Sequence, residues 1–255
     1  MNLFLASLNS GSNGNCYYLG TDHDAVLIDA GISCRETERR MTRLGLTPEL
    51  VRGIFISHEH SDHIQGAEVL SRKHHIPVYI TSATLKNSRL RVTPSLLRKF
   101  TAYEPLQLGE LTIDPFPKRH DGMDPHSFTV SANGVTAGVF TDIGAACEHV
   151  ARHFRRCHAA FLETNYDPLM LEKGSYPLRL KRRIRGGHGH LSNIQALEIF
   201  NAFRSPDLQL LILSHLSEEN NRPKKVLDLF TPHANGTRIE VASRYRETEL
   251  FTIYY

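Results

Sequence analysis

The chain has 255 residues, of which 40% are hydrophobic and 22% are charged, a balance that is typical of a folded globular protein and argues against a disordered one. Its net charge of +3 is too small to indicate a nucleic-acid-binding protein by itself. No apolar run approaches the roughly 18–20 residues of a membrane-spanning helix, and the opening MNLFLASL lacks the basic start of a signal peptide. The four cysteines form no CxxC pair. We therefore expect a cytoplasmic protein without membrane association, folded as a single domain over residues 1–255.

Apolar segments of strand length alternate with helical stretches along the chain. We predict strands at residues 2–8, 16–20, 25–29, 53–57, 77–81, 110–114, 126–131, 135–141, 159–163, 208–214, 237–242 and 248–254. We predict helices at residues 34–44, 62–75, 143–156, 192–204 and 223–231. Strands dominate the first half and alternate with helices in the second, which favours a layered α/β protein over a helical bundle or a β-sandwich.

Two local signals fix element boundaries. Asn133-Gly134 lies between two apolar runs, the pattern of a two-residue hairpin turn. Ser192 is followed three residues later by Gln195, which predicts a capping box at the start of the helix over 192–204.

The sharpest chemical motif is HEHSDH at residues 58–63, directly after an apolar strand. His58 and His60 alternate, so both rings project to the same side of an extended segment. Asp62 and His63 are adjacent at the start of a predicted helix, so their side chains diverge and can serve a second ion. The chain is also rich in histidine, with 15. Imidazole and carboxylate are ligands for Zn²⁺, Mn²⁺ and Fe²⁺, so the motif predicts a two-metal site.

The motif cannot complete two ions alone, so further ligands must lie downstream. His120, Asp142 and His215 each follow an apolar strand, the position at which α/β folds carry functional side chains. His126 remains an alternative to His120. The remaining histidines are expected on the surface or on helix faces: His74, His75, His149, His153, His158 and His233.

The sequence resembles the metallo-β-lactamase superfamily, whose pattern is HxHxDH followed by His, Asp and His. The resemblance spans nearly the whole chain and implies a four-layer αββα sandwich. It implies one metal held by His58, His60 and His120 and a second held by Asp62, His63 and His215. Asp142 would bridge the two ions, and Asp29 would support the ligands. The complete histidine set argues against the redox branch of the superfamily and favours hydrolysis.

A second group of residues resembles ribonuclease Z and related phosphodiesterases. Glu163 ends a strand, and His190 precedes a capped helix. In those enzymes a Glu–His pair protonates the leaving oxygen, so the resemblance implies that His190 is the general acid and that Glu163 orients it. His188 is the rival of His190 within the segment GHGH. The helix that starts beside His190 also offers free N–H groups to a phosphate.

Six further segments resemble the YycJ/WalJ-type metallo-hydrolases. The segments are GSNGNCYYL, HDGMDP, ETNYD, YPLRLKRRI, GHGHLSN and LSEENN. The resemblance implies a 5′→3′ exonuclease acting on DNA. Tyr166 departs from the pattern, because a histidine is expected there in many members.

Candidate substrate contacts lie in three of these segments. The run LRLKRRIR at 178–185 is either a solvated helix face or a phosphate-binding surface, and its position beside His190 favours phosphate. The segment GSNGN at 11–15 is either a hairpin turn or a substrate contact. The residues that we expect to contact phosphate are Ser12, Asn15, Asn165, Arg182, Arg183 and Arg185.

Together these features predict a dinuclear phosphodiesterase, most simply a 5′→3′ DNA exonuclease with two Zn²⁺ or Mn²⁺ ions, Fe²⁺ also being acceptable. Two such ions lower the pKa of a bound water to about 7, so we expect hydroxide to attack phosphorus, with Asp62, Glu163 and His190 as catalytic residues. One alternative is a small-molecule hydrolase of the same fold, such as a cyclic phosphodiesterase, lactonase or thioesterase. Another is a non-catalytic protein that binds nucleic acid. The sequence does not decide the oligomeric state.

Overall fold

The computed structural model describes residues 2–255. Its strands are β1 (Leu3–Asn9), β2 (Cys16–Gly20), β3 (Ala25–Ile28), β4 (Val51–Phe55), β5 (Val78–Tyr79), β6 (Leu97–Arg98), β7 (Leu106–Leu108), β8 (Leu111–Pro117), β9 (His126–Ala132), β10 (Val135–Phe140), β11 (Ala159–Glu163), β12 (Leu210–Ser214), β13 (Arg238–Val241) and β14 (Phe251–Ile253). Its α-helices are α1 (Cys34–Arg43), α2 (Ser61–Ile64), α3 (Ala67–His74), α4 (Ser82–Asn87), α5 (Glu148–Phe154), α6 (Pro168–Lys173), α7 (Leu178–Arg185), α8 (Asn193–Phe203) and α9 (Pro223–Phe230).

The strands form two seven-stranded mixed sheets. The first has the order β14-β1-β2-β3-β4-β5-β6, and the second has the order β13-β12-β11-β10-β9-β8-β7. In the first sheet β3 to β6 are parallel to one another, and in the second sheet β10 to β13 are parallel. Parallel strands end at the same edge of a sheet, so each sheet gathers several strand ends, and the loops that follow them, along one edge.

The core is layered because side chains alternate along the strands. Phe161 of β11 packs between the two sheets with Phe55 and Phe128. Its neighbour Leu162 points to the other face, where it packs with Phe200 of α8. Helices α1 and α3 cover the outer face of the first sheet, and α5, α8 and α9 cover that of the second. The predicted αββα sandwich is therefore confirmed.

The structure corrects two predicted helices. The helix expected over 62–75 is divided into α2 and α3, because Gly66 packs against the backbone of residues 30–32 and a Cβ there would lie 1.9 Å from the Ile32 carbonyl oxygen. The helix expected over 143–156 begins only at Glu148. The amides of Ile143 and Gly144 donate instead to the Glu163 carboxylate and to the Arg119 carbonyl.

Other differences concern short elements. Helices α6 and α7 were not among the predicted helices, and β5 is shorter than the predicted 77–81 strand. The Asn133-Gly134 hairpin and the capping box of Ser192 and Gln195 are both present. No helix within residues 2–255 combines the length and the apolar character needed to cross a membrane.

Candidate metal centre

The candidate centre lies where strand ends of the two sheets meet. The segment 57–63 leaves β4 at its C-terminal end, beside the end of β3. Asp29, which follows β3, accepts hydrogen bonds from the Ser57 amide at 2.8 Å and the Ser57 hydroxyl at 2.8 Å. It also lies 2.7 Å from Nδ1 of His63. These contacts set the direction in which the motif leaves the strand.

A first group of candidate ligand atoms consists of three imidazole nitrogens. Nε2 of His58 lies 3.0 Å from Nδ1 of His60, and Nε2 of His120 lies 3.4 Å from the same Nδ1. All three residues offer atoms within 4.8 Å of one another. His126, the alternative to His120, instead packs edge-on against Phe100 with ring centroids 5.2 Å apart.

A second group lies on the other side of Asp142. Nε2 of His63 is 3.5 Å from Oδ2 of Asp62, and Nε2 of His215 is 3.8 Å from the same oxygen. Asp142 lies between the groups, with Oδ2 3.2 Å from Nε2 of His63 and Oδ1 3.8 Å from Nε2 of His120. The seven residues that the sequence singles out are thus brought together by the fold as two groups sharing one carboxylate.

Four of the five imidazoles are held through the nitrogen that faces away from these groups. Nδ1 of His58 contacts the Ser57 hydroxyl at 2.9 Å, and Nδ1 of His120 contacts the Gly189 carbonyl at 3.0 Å. Nδ1 of His63 contacts Oδ2 of Asp29 at 2.7 Å, and Nδ1 of His215 lies 3.0 Å from Oε1 of Glu163. Such partners fix the tautomer and leave the opposite nitrogen as an electron-pair donor. Hydrogen positions are inferred from these contacts.

The donor set fits divalent metal ions. Oδ2 of Asp142 and Nε2 of His215 are buried, and within the described chain neither has a hydrogen-bond partner. Unpartnered buried polar atoms are rare and call for a ligand. Although burial lowers it, the pKa of His215 is raised to about 10 by Asp142, Asp62 and Glu163. This negative environment favours cations, and the imidazole and carboxylate donors suit Zn²⁺, Mn²⁺ and Fe²⁺. The centre is therefore suited to binding divalent metal ions.

Three residues of the centre have a left-handed backbone. Asp29, Asp142 and His215 have φ angles of 61°, 55° and 56°, which non-glycine residues adopt uncommonly. Asp29 and His215 directly follow β3 and β12, and Asp142 follows β10 after one intervening residue. The left-handed turn lets a side chain leave the strand in a direction that regular alternation does not provide.

Asn15 and Asn165 differ from their expected role as substrate contacts. The side chain of Asn15 is fully buried, and its Nδ2 lies 3.3 Å from Oδ2 of Asp62. Asn165 is also buried and donates to the His215 carbonyl at 2.8 Å. Both therefore contact candidate metal ligands. Ser12 is exposed and accepts a hydrogen bond from Arg244 at 2.9 Å.

A buried network that sequence reasoning missed connects the two ends of the second ligand group. The His215 amide donates to the Ser10 hydroxyl at 2.8 Å, which lies 2.8 Å from the Tyr17 hydroxyl. Tyr17 donates to Oδ1 of Asn15 at 3.2 Å, and Asn15 reaches Asp62. In the sequence Tyr17 has the pattern of an ordinary strand residue. The only local indication of the network is the polar segment GSNGN at 11–15, which contains Asn15.

Glu163 lies between His190 and the second ligand group. Its Oε1 is 2.7 Å from Nδ1 of His190 and 3.0 Å from Nδ1 of His215. Its Oε2 accepts from the amides of Ile143 and Leu191. Although burial raises it, the pKa of Glu163 is lowered to about 2 by His190 and His215, so the carboxylate is ionised. His190 is 19% exposed, whereas Glu163 is completely buried. The ring of His190 is the part of this pair that a substrate can reach.

The basic run is helix α7, at the edge of the centre. Arg182, Arg183 and Arg185 are all exposed. Arg183 pairs with Asp121, which follows the ligand His120 and lies 3.3 Å from its Nε2. Arg185 pairs with Glu172, while Arg182 has no carboxylate within 4 Å in the described chain.

Two residues that the sequence left open have defined places. His188 is exposed and belongs to none of the ligand groups found among residues 2–255. Tyr166 is buried in a small cluster with Leu171 of α6 and Ile184 of α7. Its ring therefore helps to seat the basic helix beside His190.

Comparison with known proteins gives consistent relationships. The sequence profile of the beta-lactamase superfamily domain matches residues 24–216. The exodeoxyribonuclease YycJ of Bacillus anthracis is 32% identical over 224 residues, which are 87% of this chain and 85% of the relative. The exodeoxyribonuclease WalJ of Streptococcus pneumoniae is 33% identical over 219 residues, which are 84% of this chain and 81% of the relative.

Solved structures show the same fold. The metallo-beta-lactamase fold protein YhfI of Bacillus subtilis superimposes with a TM-score of 0.76 at 14% identity, over 99% of this chain and 100% of its own. The short form of human tRNase Z superimposes with a TM-score of 0.65 at 14% identity, over 96% of this chain and 98% of its own. From its sequence relatives and its fold, the chain belongs to the metallo-β-lactamase superfamily of metal-dependent hydrolases, in the family of the YycJ and WalJ proteins.

Proposed function

We propose that the chain is a cytoplasmic single-domain dinuclear phosphodiesterase that degrades DNA from the 5′ end. The observation that carries the proposal is the Glu163–His190 pair beside the two ligand groups, because hydrolysis of a phosphodiester at neutral pH needs a proton for a poor leaving group. The relatives named exodeoxyribonucleases support DNA as the substrate. All four cysteines are free, which agrees with a reducing compartment.

We assign the ions to the residues as follows. His58, His60 and His120 would hold one ion, and Asp62, His63 and His215 would hold the other, with Asp142 shared between them. Zn²⁺ or Mn²⁺ suits these donors best, and Fe²⁺ is acceptable. When bound, two such ions would activate a water and stabilise charge on the phosphoryl oxygens.

The chain's own groups supply the proton and its direction. Glu163 accepts Nδ1–H of His190, so the proton available to the substrate is the one on Nε2. The ionised carboxylate holds the ring in one orientation through this contact, with Nε2 on the side away from Glu163. We infer that His190 delivers it to the oxygen that leaves phosphorus. Arg182, Arg183 and Arg185 of α7 contact phosphates of the strand in this proposal, while Asn15 and Asn165 position metal ligands.

The proposal is tested by incubating the purified chain and His60→Ala with 5′-labelled duplex DNA in the presence of Mn²⁺ or Zn²⁺. We expect the parent to release mononucleotides from the 5′ end and His60→Ala to release none. The substitution removes Nδ1 of His60, one of the three nitrogens that would bind the first ion. His233→Ala is the matched control, since His233 is exposed and lies outside the ligand groups. Turnover of bis-p-nitrophenyl phosphate without degradation of any polymer would replace the nuclease with a small-molecule phosphodiesterase. Purified protein without bound divalent ions would favour a non-catalytic role.

A further inference from the structure

A cleft of about 750 Å³ lies beside the metal centre. Its walls are the segment after β12 and the loop after β13. Because β12 and β13 are adjacent and parallel, both segments lie at the edge of the sheet that carries His215. Neighbouring strands are about 5 Å apart, so the cleft begins roughly one strand spacing from that ligand.

Ser10 connects the cleft to the centre directly. Its hydroxyl accepts from the His215 amide at 2.8 Å, and its own amide donates to the Ser243 carbonyl at 3.1 Å. Ser10 and Ser243 both line the cleft. The cleft is therefore separated from His215 by the single buried residue Ser10.

Counted together with its ion-pair partners, the cleft has five arginines against four carboxylates. Its four carboxylates each have an arginine partner: Glu218 pairs with Arg244, Glu247 with Arg43, and Glu240 and Glu249 with Arg238. Arg222 and Arg246 are exposed and have no carboxylate within 4 Å in residues 2–255. The Arg222 guanidinium donates to the carbonyls of Glu218 and Asn221. Two exposed guanidinium groups without a carboxylate partner favour an anion such as a phosphodiester.

Tyr245 offers an aromatic face at the same mouth. Its side chain is 71% exposed, yet it is tethered at several points. The hydroxyl donates to Glu218 at 2.6 Å, the amide donates to the Ser243 hydroxyl at 3.0 Å, and the carbonyl accepts from Arg40 at 3.2 Å. An exposed ring that is held still loses little entropy when a base stacks on it.

The inner wall combines an apolar floor with an unsatisfied donor. Val241, Ala242 and Phe251 line the cleft and belong to the apolar clusters of the sheets. The Arg244 side chain is only 10% exposed, and its Nε is buried without a hydrogen-bond partner in the described chain. A flat heterocycle with acceptor atoms suits this combination of an apolar floor and a lone N–H donor.

We propose that this cleft binds a nucleotide of the substrate strand, with its base on Tyr245 and its phosphate at Arg222 and Arg246. The inference rests on the proposed nuclease function and adds a binding subsite to it. A polymer is then held on both sides of the reacting phosphate, by α7 on one side and by this cleft on the other. The subsite acts on strand affinity, because Tyr245 lies outside the ligand groups.

The test measures binding of a short 5′-phosphorylated, 3′-fluorescein-labelled single-stranded oligodeoxynucleotide by fluorescence anisotropy. The metal-loaded His190→Ala variant serves as the parent, so that the strand is not degraded. We expect Tyr245→Ala to raise the Kd about tenfold or more, because stacking on an aromatic side chain contributes strongly to single-strand affinity. Tyr245→Phe keeps the ring but loses the bond to Glu218, so it should bind more tightly than Tyr245→Ala. Arg246→Gln should lower the slope of log Kd against log salt concentration by about 0.7, the contribution of one phosphate contact.

The control variant is Tyr254→Ala, which removes another exposed tyrosine. Tyr254 follows β14, whose pairing with β1 places it at the sheet edge away from the ligands. Equal thermal stability of the variants shows that folding is not the cause of any difference. Binding by Tyr245→Ala that equals the parent overturns the subsite alone. A parent that binds no oligonucleotide overturns the proposed nuclease as well, so the two failures are distinguishable.

Discussion

Replacement of His190 by alanine is the sharpest test of the proposed chemistry. The ring is 19% exposed and Glu163 holds its Nδ1 at 2.7 Å, so we assign Nε2 as the donor to the leaving oxygen. Loss of a general acid typically lowers the rate about 10²–10⁴-fold, which corresponds to roughly 3–5 kcal/mol of transition-state stabilisation. We therefore expect kcat on DNA to fall by that factor in His190→Ala.

The assay compares two leaving groups. The sugar oxygen of DNA is a poor leaving group that needs the proton, whereas p-nitrophenolate departs as a stable anion. We expect His190→Ala to lose much less activity on bis-p-nitrophenyl phosphate than on DNA. Both ions should remain bound, because the seven assigned ligands are unchanged. His188→Ala, which removes an exposed imidazole two residues away, serves as the matched control on both substrates.

Two results would refute this reasoning. Equal losses on both substrates would mean that His190 does not act on the leaving oxygen. Loss of one ion in His190→Ala, measured by elemental analysis of the purified protein, would make His190 a ligand instead of an acid.

Three further predictions concern the surroundings of the centre. Glu163→Gln should lower occupancy of the second ion and activity together and destabilise the fold by about 3–6 kcal/mol. One carboxylate oxygen serves His190 and His215 and the other serves the amides of Ile143 and Leu191, and the single oxygen of a glutamine amide can serve only one of these pairs. Gly31→Ala should destabilise the fold by about 1–3 kcal/mol and reduce metal binding, because its Cβ would lie 1.7 Å from the Asp62 carbonyl oxygen. Burial, Arg156 and Arg152 lower the pKa of His153 to about 4. The free energy of unfolding that depends on this shift is therefore fully present above the unfolded pKa of about 6.5. It decreases by about 3 kcal/mol in total as the pH falls towards 4.

Each of these predictions has its own control and measurement. Metal analysis and chemical denaturation report on Glu163→Gln, and full occupancy with parental activity would contradict its role. Gly187→Ala is the stability control for Gly31→Ala, because a Cβ at Gly187 meets nothing within 4 Å. His153→Phe retains an aromatic ring that can stack on Phe116. The ring centroids of His153 and Phe116 are 3.9 Å apart. Urea denaturation at several pH values should show a shallower loss of stability below pH 6.5 in this variant, and an unchanged slope would contradict the assignment.

The sequence predicted the centre best where its ligands are neighbours along the chain. His58, His60, Asp62 and His63 follow one buried strand, so a single local pattern carries four donors. His120, Asp142 and His215 are separate residues, and only the order of the superfamily motif singled them out from other histidines and aspartates at strand ends. Long-range pairing of strands, which no local pattern contains, is what brings them together.

Contacts between distant segments explain what the sequence did not predict. The bond from the His215 amide to Ser10 joins residues 205 positions apart, so the network through Tyr17 has no local signature. His153 was expected on the surface or on a helix face, and it lies on the buried face of α5. The residue is 3% exposed and stacks on Phe116, because α5 turns this side towards the second sheet. Helix α7 was not among the predicted helices, although a solvated helix face was one interpretation of its basic run. It buries only Ile184, and its position depends on the cluster around Tyr166.

Backbone strain gives a view of the centre that is independent of any motif. Non-glycine residues with positive φ are uncommon, and here they include Asp29, Asp142 and His215. Each such conformation costs on the order of 1–3 kcal/mol. Glycine would relieve the strain, but it would remove the carboxylate or imidazole that each position presents. The hydrogen bonds of Ser57 to Asp29 and of the His215 amide to Ser10 offset part of this cost. The strain is therefore retained where a particular side chain is needed, because Asp142 and His215 present candidate metal ligands and Asp29 orients His63.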